Sequence, residues 1–192
     1  MLNFDHLLKH PALRAKQIFI STLAPEAPRQ RMRLNVSYVF EDLRATCYRD
    51  GYFDWVVCIS TLEHVGLDNA RFYTSDPDRN ESNPDDYVRA IGELHRVLRP
   101  GGVLYLSVPF GRYQNHGCLQ VFDATMVDRT LASFGPAAWL ERHFRYEREG
   151  WQPSSREASR DATYFDHHPR RHDPDHAPAA RAVVCLELLK SR

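Results

Sequence analysis

The sequence predicts an α/β domain built on a mainly parallel sheet. Apolar runs of strand length alternate along the chain with segments of helical periodicity. Two of those runs, "FDWVVCIS" and "GVLYLSVPF", are continuous rather than alternating, as in strands covered on both faces. Between them lies a helical pattern with a single apolar stripe, as a parallel crossover requires. At 192 residues the chain has the length of one domain, 1–192, with enough material for a substantial core.

The elements are expected in the following order. A short helix falls within Phe4–Lys16, interrupted near Pro11. "QIFIS" (Gln17–Ser21) and "NVSYVF" (Asn35–Phe40) are rich in β-formers and read as strands, followed by "FDWVVCIS". The clearest helix is Pro84–Leu98. Asn83 suits its N-cap, Pro84 its first position, and Asp85 and Asp86 the positive end of the dipole. Tyr87, Val88, Ile91, Leu94, Val97 and Leu98 form its stripe, and "PGG" stops it. The strand Gly102–Phe110, a helix Asp123–Phe134, and strands Trp139–Glu147 and Ala182–Leu189 complete the set. Residues 1–34 are set apart as an N-terminal segment, 68–82 as an inserted loop and 152–178 as a long polar loop.

Composition excludes several classes of function. Lys plus Arg and Asp plus Glu are equal at 25 each, so no basic excess invites nucleic acid or an anionic membrane. No apolar run reaches the length of a membrane span, about 18 residues, and the N-terminus has no signal-peptide core. The four cysteines, Cys47, Cys58, Cys118 and Cys185, are scattered without CxxC spacing and read as free thiols of a reducing compartment, the cytoplasm. "FDHHPRRHDPDH" (Phe165–His176) holds four histidines and three aspartates, but no pair has the spacing of a known zinc motif, and no metal is expected.

Chemistry is expected at the carboxyl ends of the strands, where open α/β sheets bind ligands. There "NVSYVF" runs into Glu41 and Asp42, "FDWVVCIS" into Ser60, Thr61, Glu63 and His64, and "GVLYLSVPF" into Gly111, Arg112 and Tyr113. Three polar strand ends on one rim predict a shared cleft. Each residue also has a plain alternative: Asp42 as a turn cap, Glu63 as the partner of an arginine, His64 as a hydrogen-bond link to a neighbouring loop. Tyr164, Phe165 and Trp151 are candidates to close over a bound acceptor.

"EDLRATCYRDGYFDWVVCISTLEHVG", followed after about twenty residues by "ELHRVLRPGGVLYLSVPFG", resembles the class I S-adenosylmethionine-dependent methyltransferases, in particular the small-molecule group with the "LRPGG" signature. The likeness covers Asn35–Gly111 and extends to "AVVCLELLK" as the family's last, antiparallel strand. It implies a Rossmann-like methyltransferase sheet, S-adenosylmethionine as cofactor, and methyl transfer to an oxygen or nitrogen of a small molecule, with a sugar or cell-surface precursor as one option. It further implies cofactor contacts from Asp42 and Leu43 at the adenine and from Ser60, Thr61 and Leu62 near the methionine part. Glu63 and His64 would face the acceptor as catalytic groups, and the loop Phe110–His116 would form another wall. An imidazole ionises near neutral pH, which suits His64 to accepting a proton. A small-molecule acceptor is the expected partner, with no nucleic acid and no membrane; a homo-oligomer is left open.

The sequence departs from the family in one respect. The glycine motif (D/E)-x-G-x-G, which follows the family's first strand, does not occur, and the first glycine is Gly51. Only 34 residues precede the strand at Asn35, too few for two strands, two helices and the glycine loop. A sheet without its first, central strand is therefore expected. Beside the enzyme stand two alternatives: a non-catalytic, truncated methyltransferase-like protein that binds the cofactor weakly or not at all, and a reading frame that starts upstream.

Overall fold

The computed structural model describes residues 9–23, 35–70, 77–165 and 179–192. Its order is α1 (Pro11–Arg14), β1 (Ile18–Thr22), β2 (Val36–Phe40), β3 (Phe53–Ile59), α2 (Tyr87–Val97), β4 (Leu98–Pro109), β5 (Gln114–Asn115), β6 (Gln120–Val121), α3 (Ala124–Phe134), β7 (Ala138–Glu147), β8 (Gly150–Ser154), α4 (Arg156–Ser159) and β9 (Ala182–Leu189). Single 3-10 turns lie at Leu62–His64 and Pro77–Arg79. No helix among the described residues is long and apolar enough to cross a membrane.

The strands form a five-stranded sheet in the order β3-β4-β9-β7-β8 and a separate parallel pair, β1-β2; β5 and β6 make a small hairpin. β3 and β4 run parallel, and β9 enters antiparallel between β4 and β7. Among the described residues no strand lies between β1 and β3. The two sheets meet through side chains instead: the rings of Phe19 on β1 and Phe53 on β3 are 5.6 Å apart, edge to face. The fold is thus the mixed α/β arrangement expected, with its parallel strands divided between two sheets.

The core lies on one face of the larger sheet. Cys58, Leu104, Leu106, Val108, Val184, Leu186 and Leu188 pack there against Ile91 and Leu94 of α2 and Met126, Val127 and Phe134 of α3. α2 starts later than the expected Pro84, because residues 84–86 turn before the helix; Asp86, not Asn83, is its N-cap residue. The cap of α3 is Asp123, whose carboxylate accepts from the Met126 amide, and Gly135 ends that helix in a left-handed conformation.

Two expectations are corrected. Among the described residues, "FDWVVCIS" and "GVLYLSVPF" are covered on one face only. α2 and α3 both pack on that face, and on the other Trp55 is 50% exposed, Val57 44% and Tyr105 37%. The Lys16 ammonium sits over the Trp55 ring, 4.6 Å from its centre. The polar loop expected from residue 152 begins instead as the end of β8, followed by α4, whose Ser155 cap accepts from the Ala158 amide. The histidine run falls outside the described residues apart from Phe165, whose amide donates to the Ala179 carbonyl.

Gly66 marks where the chain leaving β3 passes α2. Its φ is +78°, and a Cβ there would lie 2.1 Å from the Asn83 carbonyl oxygen and 2.7 Å from the Asp86 Cβ. Both contacts are too short for backbone and a short side chain to yield. Gly66→Ala is expected to destabilise the protein by about 2–4 kcal/mol, combining left-handed strain with overpacking. Urea unfolding checks this, and a loss below about 0.5 kcal/mol would show that the segment moves aside freely.

Candidate functional site

β3 ends in an abrupt change of direction. Ser60 has φ +47°, a left-handed conformation uncommon for a residue with a Cβ, and its amide still donates to the Ser107 carbonyl of β4. The chain then closes the turn Leu62–His64, in which the His64 amide donates to the Thr61 carbonyl at 3.1 Å. Ser60 and Thr61 are exposed at the rim, whereas Leu62 is fully buried in the core. The Thr61 hydroxyl turns back to the Ile59 carbonyl, 3.0 Å away.

Glu63 does not line an open cleft as expected. It is 1% exposed, and its Oε1 accepts from the Ser60 hydroxyl at 2.6 Å. Burial pushes its carboxyl above the ordinary range. Burial also raises the neighbouring Cys58 thiol, to about 12, with the Glu63 charge adding to the effect. No arginine was needed to bring Glu63 inside; the turn does so by placing it beneath Ser60.

His64 is half-buried, and its Nδ1 donates to the Cys118 carbonyl at 2.7 Å. That bond fixes the neutral tautomer: the proton is on Nδ1 and the ring's basic lone pair on Nε2. The carbonyl belongs to the β5-β6 hairpin, which is fastened at further points. The Asp68 amide donates to the Gly117 carbonyl, and the Gln120 side chain donates to the Pro84 carbonyl at 2.7 Å. The hairpin also brings His116 against Tyr164, with ring centres 5.1 Å apart.

Asp42 follows β2, and Arg44 dominates its surroundings. Both Asp42 oxygens accept from that guanidinium, at 3.0 Å from Nε to Oδ1 and 2.6 Å from Nη2 to Oδ2, and Oδ1 also accepts from the Arg44 amide at 2.8 Å. These bonds hold the Asp42 carboxyl below its ordinary range. Arg44 reaches Glu81 and Asp86 as well, each at 2.6 Å. Asp42 is therefore joined to the segment after β3 through Arg44 and Asp86, which abuts Gly66. Leu43 packs against the main core. Arg44 was not singled out from the sequence, although it stands in the quoted "EDLR"; its role depends on Glu81 and Asp86, remote in sequence. The β5-β6 hairpin was also missed, because its two-residue strands leave no periodicity to read.

Expected cofactor contacts thus occupy two places: Ser60 and Thr61 at the end of β3, and Asp42 with Leu43 after β2. The first leaves exposed polar groups at the rim. The second has a carboxylate already saturated by an internal arginine.

Comparison with known proteins agrees with this architecture. Residues 12–106, about half of the chain, match the family model described as a methyltransferase domain. The chain is similar in structure to 1,6-didemethyltoxoflavin-N1-methyltransferase of Burkholderia thailandensis, solved with 1,6-didemethyltoxoflavin and S-adenosylhomocysteine. Identity is 17% over 92% of this chain and 62% of that one, with a TM-score of 0.51. It is also similar to the N-methyltransferase NodS of Bradyrhizobium japonicum, solved with S-adenosylhomocysteine, at 13% identity over 92% of this chain and 67% of that one, with a TM-score of 0.50. The chain spans about two thirds of the length of these relatives. No curated protein matches it. The fold is that of a Rossmann-like methyltransferase, and residues 12–106 belong to the methyltransferase-domain family.

The segment 41–52 is tied to α2 by a second carboxylate. Glu93 accepts from Arg96 and from the Thr46 amide and hydroxyl, and Arg96 chiefly holds its carboxyl down from 4.5 to about 2. A carboxyl lowered on folding stabilises the folded state above its unfolded value, and that contribution fades as pH falls from about 4.5 to about 2. Glu93→Gln is expected to lower stability at pH 7 and to flatten its fall over that window. Urea unfolding against pH checks this; an unchanged acid slope would show that Glu93 is not the group that titrates.

Proposed function

We propose that the protein transfers a methyl group from S-adenosylmethionine to an oxygen or nitrogen of a small molecule, such as a sugar or cell-surface precursor. The cofactor supplies an electrophilic methyl carbon on a sulfonium. The residues that would hold it are Ser60 and Thr61 on the methionine side and Asp42 with Leu43 on the adenine side; Leu62, expected beside the methionine part, is instead fully buried in the core. His64 accepts the proton of the acceptor at Nε2. The observation that carries this reading is the His64–Cys118 bond, which supports an imidazole kept in one tautomer at the rim where β3 ends. Most of the acceleration comes from alignment of the acceptor. A cytoplasmic setting is part of this reading, supported by balanced charge and free cysteines. No nucleic acid or membrane partner is invoked, and a homo-oligomer is compatible with this reading.

A second reading, a methyltransferase-like protein with weak or lost cofactor binding, is favoured by the saturation of Asp42 by Arg44 and by the absent glycine motif. Charge-assisted hydrogen bonds contribute roughly 1.5–3 kcal/mol each. Two or three missing ones would lower affinity by about two to six decades. On this second reading, titration calorimetry of the chain gives a dissociation constant for S-adenosylmethionine in the millimolar range or weaker, and micromolar binding would contradict it and favour the first reading.

Transfer of a tritiated methyl group from S-adenosylmethionine to a pool of small hydroxyl and amine compounds separates the two readings. The wild-type chain is expected to label acceptors, and His64→Asn to do so about 100-fold more slowly. Equal labelling by both proteins removes His64 as the base. No labelling by the wild type supports the non-catalytic reading.

A further inference from the structure

We propose that Glu63 is a positioning residue rather than a base: its buried carboxyl locks Ser60 in the left-handed conformation and thereby sets the backbone of Ser60 and Thr61 at the end of β3. The proposal rests on the methyl-transfer reading only for what that rim holds.

Two features set Glu63 apart from a base. Its Oε1 is engaged by the Ser60 hydroxyl at 2.6 Å, and its Oε2 is buried with no hydrogen-bond partner. Neither oxygen meets the rim, so neither can take a proton from a molecule bound there. Cys58 on β3 and His64 in the same turn are its titratable neighbours. Ser60, by contrast, needs a restraint. A residue with a Cβ at φ +47° persists only where its surroundings over-determine it. The hydroxyl of Ser60 reaches inward to Glu63 three residues on, and the turn between them carries Thr61 outward. The lock therefore acts on the exposed backbone through Ser60. Burial favours the protonated acid, so Gln is its closest neutral replacement.

Two amides report on the lock without any ligand. The Ser60 amide donates to the Ser107 carbonyl at 3.0 Å, and the His64 amide donates to the Thr61 carbonyl at 3.1 Å. In the full chain, Glu63→Ala is expected to speed hydrogen exchange at both by about tenfold or more, while Glu63→Gln leaves them within about threefold of wild type. Adding Ser60→Gly to Glu63→Ala is expected to restore slow exchange, because glycine adopts a positive φ without a restraint. A residue that only fills space would show no such rescue. Should Glu63→Ala fail to fold, Ser60→Ala removes the hydroxyl alone and is expected to speed the His64 amide. The proposal is overturned if Glu63→Gln exchanges as fast as Glu63→Ala, if Ser60→Gly gives no rescue, or if Ser60→Ala changes nothing. Binding of S-adenosylhomocysteine by the same variants is expected to follow the exchange ranking. Exchange that follows the lock in a wild-type chain without such binding would support the positioning role and remove the methyl-transfer reading.

Discussion

The structure depends on how two sheets that share no strand pairing are held as one body. β1 and β2 pair only with each other among the described residues, so backbone hydrogen bonds do not tie them to the sheet that carries β3 and β4. The segment 41–52 performs that task. Arg44 bridges Asp42 to Glu81 and Asp86, while Arg96 and Glu93 grip the chain at Thr46 and Tyr48. The rings of Phe19, Tyr48, Tyr52 and Phe53 close the seam. A guanidinium shared among half-buried carboxylates is stronger than an exposed pair, and its fixed fork limits how the two sheets can shift.

The same clamp shapes the candidate site. Asp42 is where the family resemblance implies an adenine contact, yet in this chain its carboxylate serves the seam. At β3 the division is cleaner: Leu62 and Glu63 face inward, Ser60 and Thr61 face outward, and His64 is aimed by a carbonyl from the hairpin. Polar groups at the end of a core strand split into a buried support and an exposed edge.

Much of this was legible in the sequence. "AVVCLELL" became β9 with its expected bounds, because its two faces carry different residues and its flanks are polar. The stripe on α2 followed from helical periodicity. What escaped depends on contacts between distant segments. The inward turn of Glu63 requires the left-handed Ser60, and serine does not advertise a positive φ as glycine does. The one-sided cover of β3 was hidden because a continuous apolar run looks the same whether one face or two are packed.

The central claim, that the β1-β2 pair is held by the 41–52 clamp and not by strand pairing, is tested most directly by native-state hydrogen exchange at graded denaturant concentrations. The amides of β1 and β2 are expected to open together at a lower free energy than those of β4 and β9, and Arg44→Met is expected to lower the first without changing the second. A single common opening energy for both sheets, shifted equally by Arg44→Met, would contradict it.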